Sequence, residues 1–185
     1  MNIVIISGSP RQNSITRRVA VHLSQKLKND FNIELIDLRE SKMPAIQSVF
    51  VSEEKTPEEY KVLRKKMVDA DAFIFVSPEY NGGYSSAMKN LIDHFPKSTY
   101  ARKVIGIVAA SDGLFGGMRA ALQMQLLVFA LFGISCPQML ITPQVDKKFD
   151  ENGVLTDESF QKNIDTFIKE YLWLTESIYK AKQMQ

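Results

Sequence analysis

Apolar residues along this chain gather in short, nearly continuous runs instead of alternating with polar ones. Such runs are typical of strands buried on both faces, as in a parallel sheet. Residues 33–36 predict a further strand, and residues 134–141 predict a fifth, in which Pro137 favours a sheet edge or a bulge because proline lacks an N–H. The three strongest runs lie at residues 3–6, 73–76 and 104–108.

Segments with helical spacing separate these strands. The first has an apolar residue at every fourth position from Ile15 to Leu27. Thr56, followed by Pro57, predicts a helix capped by the threonine, and further helices are predicted around residues 88–95 and 160–171. The alternation predicts a doubly wound, five-stranded parallel sheet in one three-layer α/β/α domain spanning residues 1–185. The irregular segment 42–55 has no assigned role.

One predicted helix, from Ala120 to Phe132, is apolar almost all round. Only Gln123 and Gln125 are polar within it, so the helix must be covered on more than one side. A central buried helix and a subunit interface both fit this pattern. We favour the interface, in a homodimer or a homotetramer, because an outer helix of this architecture normally keeps one wet face.

Composition and charge exclude several classes of protein. The 185 residues carry a formal net charge of +2, too little to indicate nucleic acid or an anionic membrane as a partner. No apolar stretch is long enough to span a bilayer, and the first residues do not resemble a signal peptide. The single cysteine, Cys136, fits a reducing cytoplasm. His22 and His94 belong to no cluster with metal-ligand spacing, so no metal site is expected.

The polar turn at residues 8–14 is the clearest candidate for chemistry. It follows the first apolar run and precedes the first helix, an arrangement that binds phosphate through the unpaired N–H groups of the helix start. Ser9 and Ser14 add hydroxyls, and Arg11 adds a guanidinium that suits phosphate oxygens. Neither the nucleoside-triphosphate loop nor the three-glycine dinucleotide turn occurs here. The turn therefore favours one compact monophosphate.

Two more unusual loops follow the second and third of the strongest strands. In a parallel sheet, loops at the strand C-termini share one edge, where ligands bind. Residues 77–86 supply two tyrosines and two glycines, and residues 110–117 are rich in glycine, which lets a flat ligand approach the backbone. A phosphorylated flat heterocycle such as flavin mononucleotide (FMN) fits these three loops together.

On these residues the chain resembles a known family over nearly its whole length. It is similar to the NAD(P)H-dependent FMN reductases, a flavodoxin-like group that includes bacterial azoreductase, quinone reductase and chromate reductase. The resemblance implies that Ser9, Arg11 and Ser14 hold the FMN phosphate beside Ile15. It also implies that residues of two loops line the ribityl chain and the ring, namely Pro78, Glu79, Tyr80 and Asn81 on one side, and Ser111 and Gly113 on the other side of the ring. The motifs that carry it are residues 8–14, Pro78-Glu-Tyr-Asn81 with Lys89-Asn90-Leu-Ile-Asp93, and residues 111–117.

The resemblance also implies a reaction. NADPH or NADH would donate a hydride to N5 of bound FMN, and two electrons would then pass to a small-molecule acceptor such as a quinone, an azo compound, chromate or free flavin. No catalytic side chain is expected, and Glu79 is interpreted as a loop residue. A flavodoxin-type electron carrier and a non-catalytic flavin-binding module are the alternatives. Such carriers are generally acidic, and the isoelectric point near 8.6 counts against that alternative.

Two features depart from the family pattern. Ser85 and Ser86 stand where relatives often have Pro-Gly, which predicts a looser start of the third helix and two hydroxyls on the substrate side. The segment after Pro44 lacks the aromatic residue that many relatives carry.

An i,i+4 pair between Lys89 and Asp93 is also expected, with a structural role.

Overall fold

Strands and helices alternate along the chain in the computed structural model, which describes residues 1–41 and 43–184. The described strands are β1 (Asn2–Ser7), β2 (Asn32–Asp37), β3 (Ala72–Pro78), β4 (Val104–Ala110), β5 (Ile134–Ser135) and β6 (Leu140–Thr142). The described α-helices are α1 (Thr16–Leu27), α2 (Lys61–Asp69), α3 (Ser86–Asp93), α4 (Met118–Ala130) and α5 (Gln161–Gln183).

All strand pairs of the sheet are parallel, in the order β2-β1-β3-β4-β5, and β6 also pairs with β4. This is the flavodoxin-like strand order, in which the winding reverses between β1 and β3. The predicted fold class is confirmed. The predicted fifth strand, residues 134–141, is interrupted. The Cys136 N–H still donates to the Ile105 carbonyl, but Pro137 has no N–H to continue the ladder. Two short strands therefore occupy the place of one.

The apolar strands are buried on both faces, as their composition predicts. Along β1, Val4 and Ile6 belong to a core cluster shared with α2, α3 and α4. Ile3 and Ile5 belong to a second cluster on the opposite face, shared with α1 and α5. The sheet is thus the middle layer of three, and its strand ends are the natural place for a ligand site.

The helix predicted from Ala120 to Phe132 forms α4, with a buried inner face that includes Ala121, Met124 and Val128. Its opposite side is apolar but uncovered. We call this side the outer face of α4; it presents Leu122 (49% exposed), Leu126 (69%) and Phe129 (64%), and Phe132 (66%) lies just beyond the end of the helix. A helix buried entirely within its own fold is therefore the wrong alternative of the two.

The predicted start of the second helix is wrong. Thr56 does not cap it; its hydroxyl donates instead to the Ser52 carbonyl, 2.7 Å away. A 3-10 turn at Glu58–Tyr60 intervenes, and α2 begins only at Lys61. A side-chain bond within the preceding loop has taken the hydroxyl that the helix start would need.

The loop between β2 and α2 is tied to the fold at two points. Lys42, at one end of segment 42–55, lies outside the described residues. Phe50 is buried and packs on the rings of His94 and Phe95. The Asn90 amide donates to the Pro44 carbonyl at 2.7 Å and accepts from the Ile46 N–H at 3.1 Å. Asn90 therefore serves to hold this loop against α3.

None of the helices in the described part of the chain combines the length and the apolar character needed to cross a membrane.

Candidate active site

The loops after β1, β3 and β4 meet in a cleft of about 500 Å³ at the carboxyl edge of the sheet. We call it the main cleft. Among the residues singled out from the sequence, Ser9, Arg11, Ile15, Pro78, Glu79, Tyr80, Asn81 and Ser111 line it. The convergence expected from strand order is therefore present. The remaining lining residues are Asn13, Thr16, Ala110 and Asp112.

Two further cavities adjoin the main cleft. A side cavity of about 360 Å³ shares Glu79, Asn81 and Ser111 with it and extends to Gly113, Phe115 and Arg119, among others. A third cavity, of about 270 Å³, shares Asn13 with the main cleft and is also lined by Gln12, Ser14, Arg17, Arg18, Arg39 and Glu151. We call this third cavity the arginine pocket. Gly113 and Ser14 thus lie in neighbouring cavities and not in the main cleft.

Ser9 and Arg11 form one end of the main cleft, and Tyr80 links them to the β3 loop. The Arg11 guanidinium carbon lies 4.4 Å from the centroid of the Tyr80 ring, in cation–π contact. The Tyr80 hydroxyl is 3.2 Å from the buried Ser9 hydroxyl. Two of the predicted phosphate residues, Ser9 and Arg11, and the predicted ring residue Tyr80 are therefore one connected unit.

The start of α1 places its two hydroxyls differently. The Ser14 hydroxyl oxygen accepts the Arg17 N–H at 3.1 Å and so caps the helix. Thr16, which the sequence analysis missed, lies on the main cleft instead. Because α1 begins at Thr16, the N–H groups at its start have no partner within the helix and carry the positive end of its dipole. A hydroxyl in the first helical turn was the signal that could have identified Thr16.

The β3 loop is a tight turn that holds Tyr80 and Asn81 in place. Tyr80 and Gly83 exchange backbone hydrogen bonds of 2.8 and 3.0 Å. Asn81 and Gly82, the two central residues, have φ of 49° and 83°. Positive φ at both positions of an Asn-Gly pair is typical of a type I′ turn. The wall that this turn gives the cleft is thus fixed by backbone bonds and not by a ligand.

Glu79 is paired with Arg119, a residue that the sequence analysis missed. Its carboxylate lies 2.7 Å from Arg119 Nε and accepts the Arg119 backbone N–H at 3.2 Å. The neighbouring Gln123 amide donates to the Gly82 carbonyl at 3.1 Å. Two turns of α4 thereby clamp the β3 loop. The nearly buried carboxylate is engaged in this clamp, which agrees with its interpretation as a loop residue.

The β4 loop contains three glycines with different roles. A Cβ on Gly116 would lie 2.6 Å from Pro143 N, and both Gly116 and Gly117 have positive φ, so these two serve the turn itself. A Cβ on Gly113 would meet only the Ser111 hydroxyl, at 3.7 Å. Gly113 therefore leaves the surface open between Ser111 and the side cavity.

The start of α3 is tighter than the sequence predicts. Ser85 is fully buried; its hydroxyl oxygen accepts the Met88 N–H at 3.1 Å, and the hydroxyl donates to the Gly8 carbonyl. Ser85 thus caps α3 and ties it to the turn after β1, whereas Ser86 is exposed. The expectation of a loose start is wrong because one hydroxyl serves as both donor and acceptor. The predicted pair between Lys89 and Asp93 is confirmed.

The donor set of the main cleft fits FMN. One end offers a guanidinium, hydroxyls and a helix start, as a phosphate dianion requires. Next to it, the turn of Tyr80 and Asn81 and the backbone after β4 offer a surface for a flat ring, and the volume of about 500 Å³ lies within the usual range for small-molecule sites. Across residues 1–41 and 43–184, no three His, Cys, Asp or Glu side chains are grouped to hold a metal ion.

Comparisons with known proteins agree with this geometry. A family model described as NADPH-dependent FMN reductase matches residues 1–146. An FMN-dependent NADPH-azoreductase of Staphylococcus saprophyticus is 30% identical over 179 residues, covering 93% of this chain and 94% of the relative. One from Staphylococcus aureus is 29% identical over 173 residues, covering 91% and 92%.

Solved structures share the fold. A flavoenzyme NAD(P)H:acceptor oxidoreductase from Paracoccus denitrificans has a TM-score of 0.78 at 19% identity, covering 95% of this chain and 97% of its own. The apo form of an NADH:FMN oxidoreductase has a TM-score of 0.64 at 20% identity, covering 90% and 87%. The predicted family, oxidoreductase class and pairing of FMN with a reduced nicotinamide nucleotide are confirmed. This chain belongs to the NADPH-dependent FMN reductase family.

Proposed function

We propose that this protein reduces small-molecule acceptors by two electrons, with NADPH or NADH as the donor and FMN held in the main cleft. The observation that carries the proposal is the convergence of a cationic, hydroxyl-lined end and an aromatic turn in that one cleft. FMN, when bound, supplies the hydride and electron-transfer chemistry. The residues of the chain bind it, orient it and leave one face open.

At the phosphate end, Ser9, Arg11 and Thr16 hold the phosphate together with the start of α1. All three side chains would donate to an anionic phosphate, so each hydrogen bond is charge-assisted, and in the bond from Arg11 the donor is charged as well. The contact between Arg11 and the Tyr80 ring positions the guanidinium before any ligand arrives. Ser14 contributes through the geometry of the helix start and not from within the main cleft.

At the ring end, the turn of Tyr80 and Asn81 shares the main cleft with Ser111, and Gly113 lies in the adjoining side cavity. The clamp from α4 keeps this turn in one position, because Glu79 and Gly82 are both bonded to α4 side chains. Pro78, the last residue of β3, fixes where the turn begins. We propose that no side chain of the site acts as a general acid or base.

The acceptor reaches the ring from the side cavity, between Phe115 and Arg119. An aromatic ring beside a guanidinium suits flat or anionic acceptors, and quinones, azo compounds, chromate and free flavin are such molecules. The azoreductase relatives support the azo compounds in particular. The test is steady-state turnover with each acceptor and with each nicotinamide. Turnover of none of them with FMN bound would contradict the proposal.

A second copy of the chain covers the outer face of α4 in this proposal. Three large apolar side chains on one surface helix, with Phe132 just beyond its end, are more than single scattered exposures explain. We further propose that residues 1–185 form one FMN-binding domain that works in the cytoplasm. Cys136 is buried and free, as a reducing compartment permits, and burial raises the pKa of its thiol.

A further inference from the structure

The arginine pocket has no role in the function proposed above, although it adjoins the main cleft at Asn13. Three of its lining residues are arginines, and they come from different places. Arg17 and Arg18 lie in the first turn of α1, and Arg39 lies just beyond β2. Three guanidinium groups around one cavity need a physical explanation, because like charges repel unless something of opposite sign balances them.

Asp37 balances only part of this charge. One of its carboxylate oxygens lies 2.7 Å from Arg17 Nε and 2.7 Å from Arg39 Nη2. Burial alone raises the pKa of Asp37, but hydrogen bonds from Arg39 and Arg17 outweigh burial and lower the pKa, so the group stays ionised. The side chains of Arg17, Arg39 and Asp37 are 29%, 19% and 8% exposed. Two half-buried cations thus share one anion, which leaves one positive charge in surplus.

Arg18 adds a second surplus charge. Its Nη1 donates to the Phe149 carbonyl at 2.8 Å, and it forms no ion pair with a carboxylate within the described residues. Glu151 lies exposed at the rim, and Glu40 is 3.7 Å from Arg39 with a side chain that is mostly in water. Exposed carboxylates of this kind neutralise little of the positive charge of the arginines, because water screens them. The pocket is therefore a preformed cationic site with its guanidinium groups already held in place.

We propose that the arginine pocket binds a phosphate monoester, supplied by the 2′-phosphate of NADPH. This inference rests on the proposed function. Planar guanidinium forks match phosphate oxygens, and the Ser14 hydroxyl, whose oxygen accepts from Arg17, still has its own hydrogen to donate. In dinucleotide-binding α/β proteins an arginine accommodates this same phosphate. NADH lacks it, so the pocket selects NADPH.

Two probes that differ only by this phosphate test the proposal. FMN-loaded protein is titrated by calorimetry with 2′-phospho-ADP-ribose and with ADP-ribose, neither of which carries a nicotinamide ring or any redox chemistry. We expect the phosphorylated probe to bind about tenfold more tightly, the gain from roughly one charge-assisted hydrogen bond. Millimolar inorganic phosphate should weaken only the phosphorylated probe.

Three variants assign the difference to the pocket. Arg18→Gln removes a guanidinium without disturbing the pairs on Asp37, and it should bring the two affinities together. Arg64→Gln is the matched control. Arg64 also donates to a backbone carbonyl, that of Phe50, but it lies on α2 outside the pocket, so the ratio of the two probe affinities should not change. Glu151→Gln removes an exposed rim carboxylate that water already screens, so it should leave the ratio of the two affinities nearly unchanged.

Equal affinities for the two probes in the wild-type protein would overturn the proposal, as would an unchanged ratio in Arg18→Gln. If inorganic phosphate binds but the probes do not differ, the pocket is a free-anion site and the assignment to NADPH is wrong. Reduction of the bound flavin by NADPH is measured separately. Flavin reduction with equal probe affinities would contradict only the pocket, whereas absence of reduction would contradict the proposed function.

Discussion

Arg11 is exposed and makes one cation–π contact, with Tyr80, so its guanidinium is available to a ligand in the main cleft. We predict that Arg11→Ala weakens FMN by about 1.5–3 kcal/mol, the value of a hydrogen bond to a charged group. Riboflavin lacks the phosphate and should be affected far less. Fluorescence titration with both flavins measures the difference, and equal weakening of both would contradict the phosphate assignment.

Tyr80 contributes a ring and a hydroxyl that can be tested apart. Tyr80→Phe keeps the ring beneath Arg11 and loses only the contact with Ser9, so we predict that it retains most NAD(P)H-dependent activity. Tyr80→Ala should lose more, because the packing surface disappears. Steady-state rates at saturating FMN measure both. A loss of about 10²–10⁴-fold in the Phe variant, the cost of a missing proton donor, would show that the hydroxyl is catalytic.

The sequence predicts which residues after the strands line the cleft better than it predicts which side chains those residues contact. Ser9, Arg11 and Tyr80 follow directly from position, because a loop after a parallel strand must lie at the ligand edge. Arg119 was out of reach, since its contact with Glu79 joins positions 40 residues apart that no local pattern connects. Ser14 and Thr16 lie two positions apart, and only the position where α1 begins decides which of them lines the main cleft.

At the scale of elements, Ser85 joins α3 to the turn after β1. Ser85→Ala removes the helix cap and leaves the Gly8 carbonyl without this donor, so we predict a loss of about 1–3 kcal/mol in the free energy of unfolding. Ser86→Ala is the matched control, because its side chain is exposed; it should stay within about 0.5 kcal/mol. Urea unfolding followed by circular dichroism compares them. Equal losses would mean that the buried hydroxyl has no special role.

Element types were easier to predict than element boundaries. The apolar runs identified the central strands β1, β3 and β4, because burial on both faces favours apolar residues at nearly every position. The fifth position became two short strands around Pro137, and α2 began after a 3-10 turn. Both departures come from single backbone or hydroxyl hydrogen bonds, which the hydrophobic pattern does not record.

At the scale of the whole molecule, the outer face of α4 predicts association. We expect sedimentation velocity at micromolar concentration to show more than one chain per particle, because burying these side chains removes apolar surface from water. Leu126→Glu should shift the protein towards monomer. Val62→Glu is a matched control on α2, since Val62 and Leu126 are both 69% exposed. A wild-type protein that sediments as a monomer would contradict the interface.

The central claim is that a reduced nicotinamide reacts directly with FMN bound in the main cleft. The most direct measurement mixes the FMN-loaded protein with NADPH, and separately with NADH, without oxygen, and follows the visible absorption of the flavin. The account predicts rapid bleaching with one equivalent of donor and return of the colour when a quinone is added. A flavin that stays yellow with both donors, yet bleaches with dithionite, would identify an electron carrier or a binding module and contradict the account.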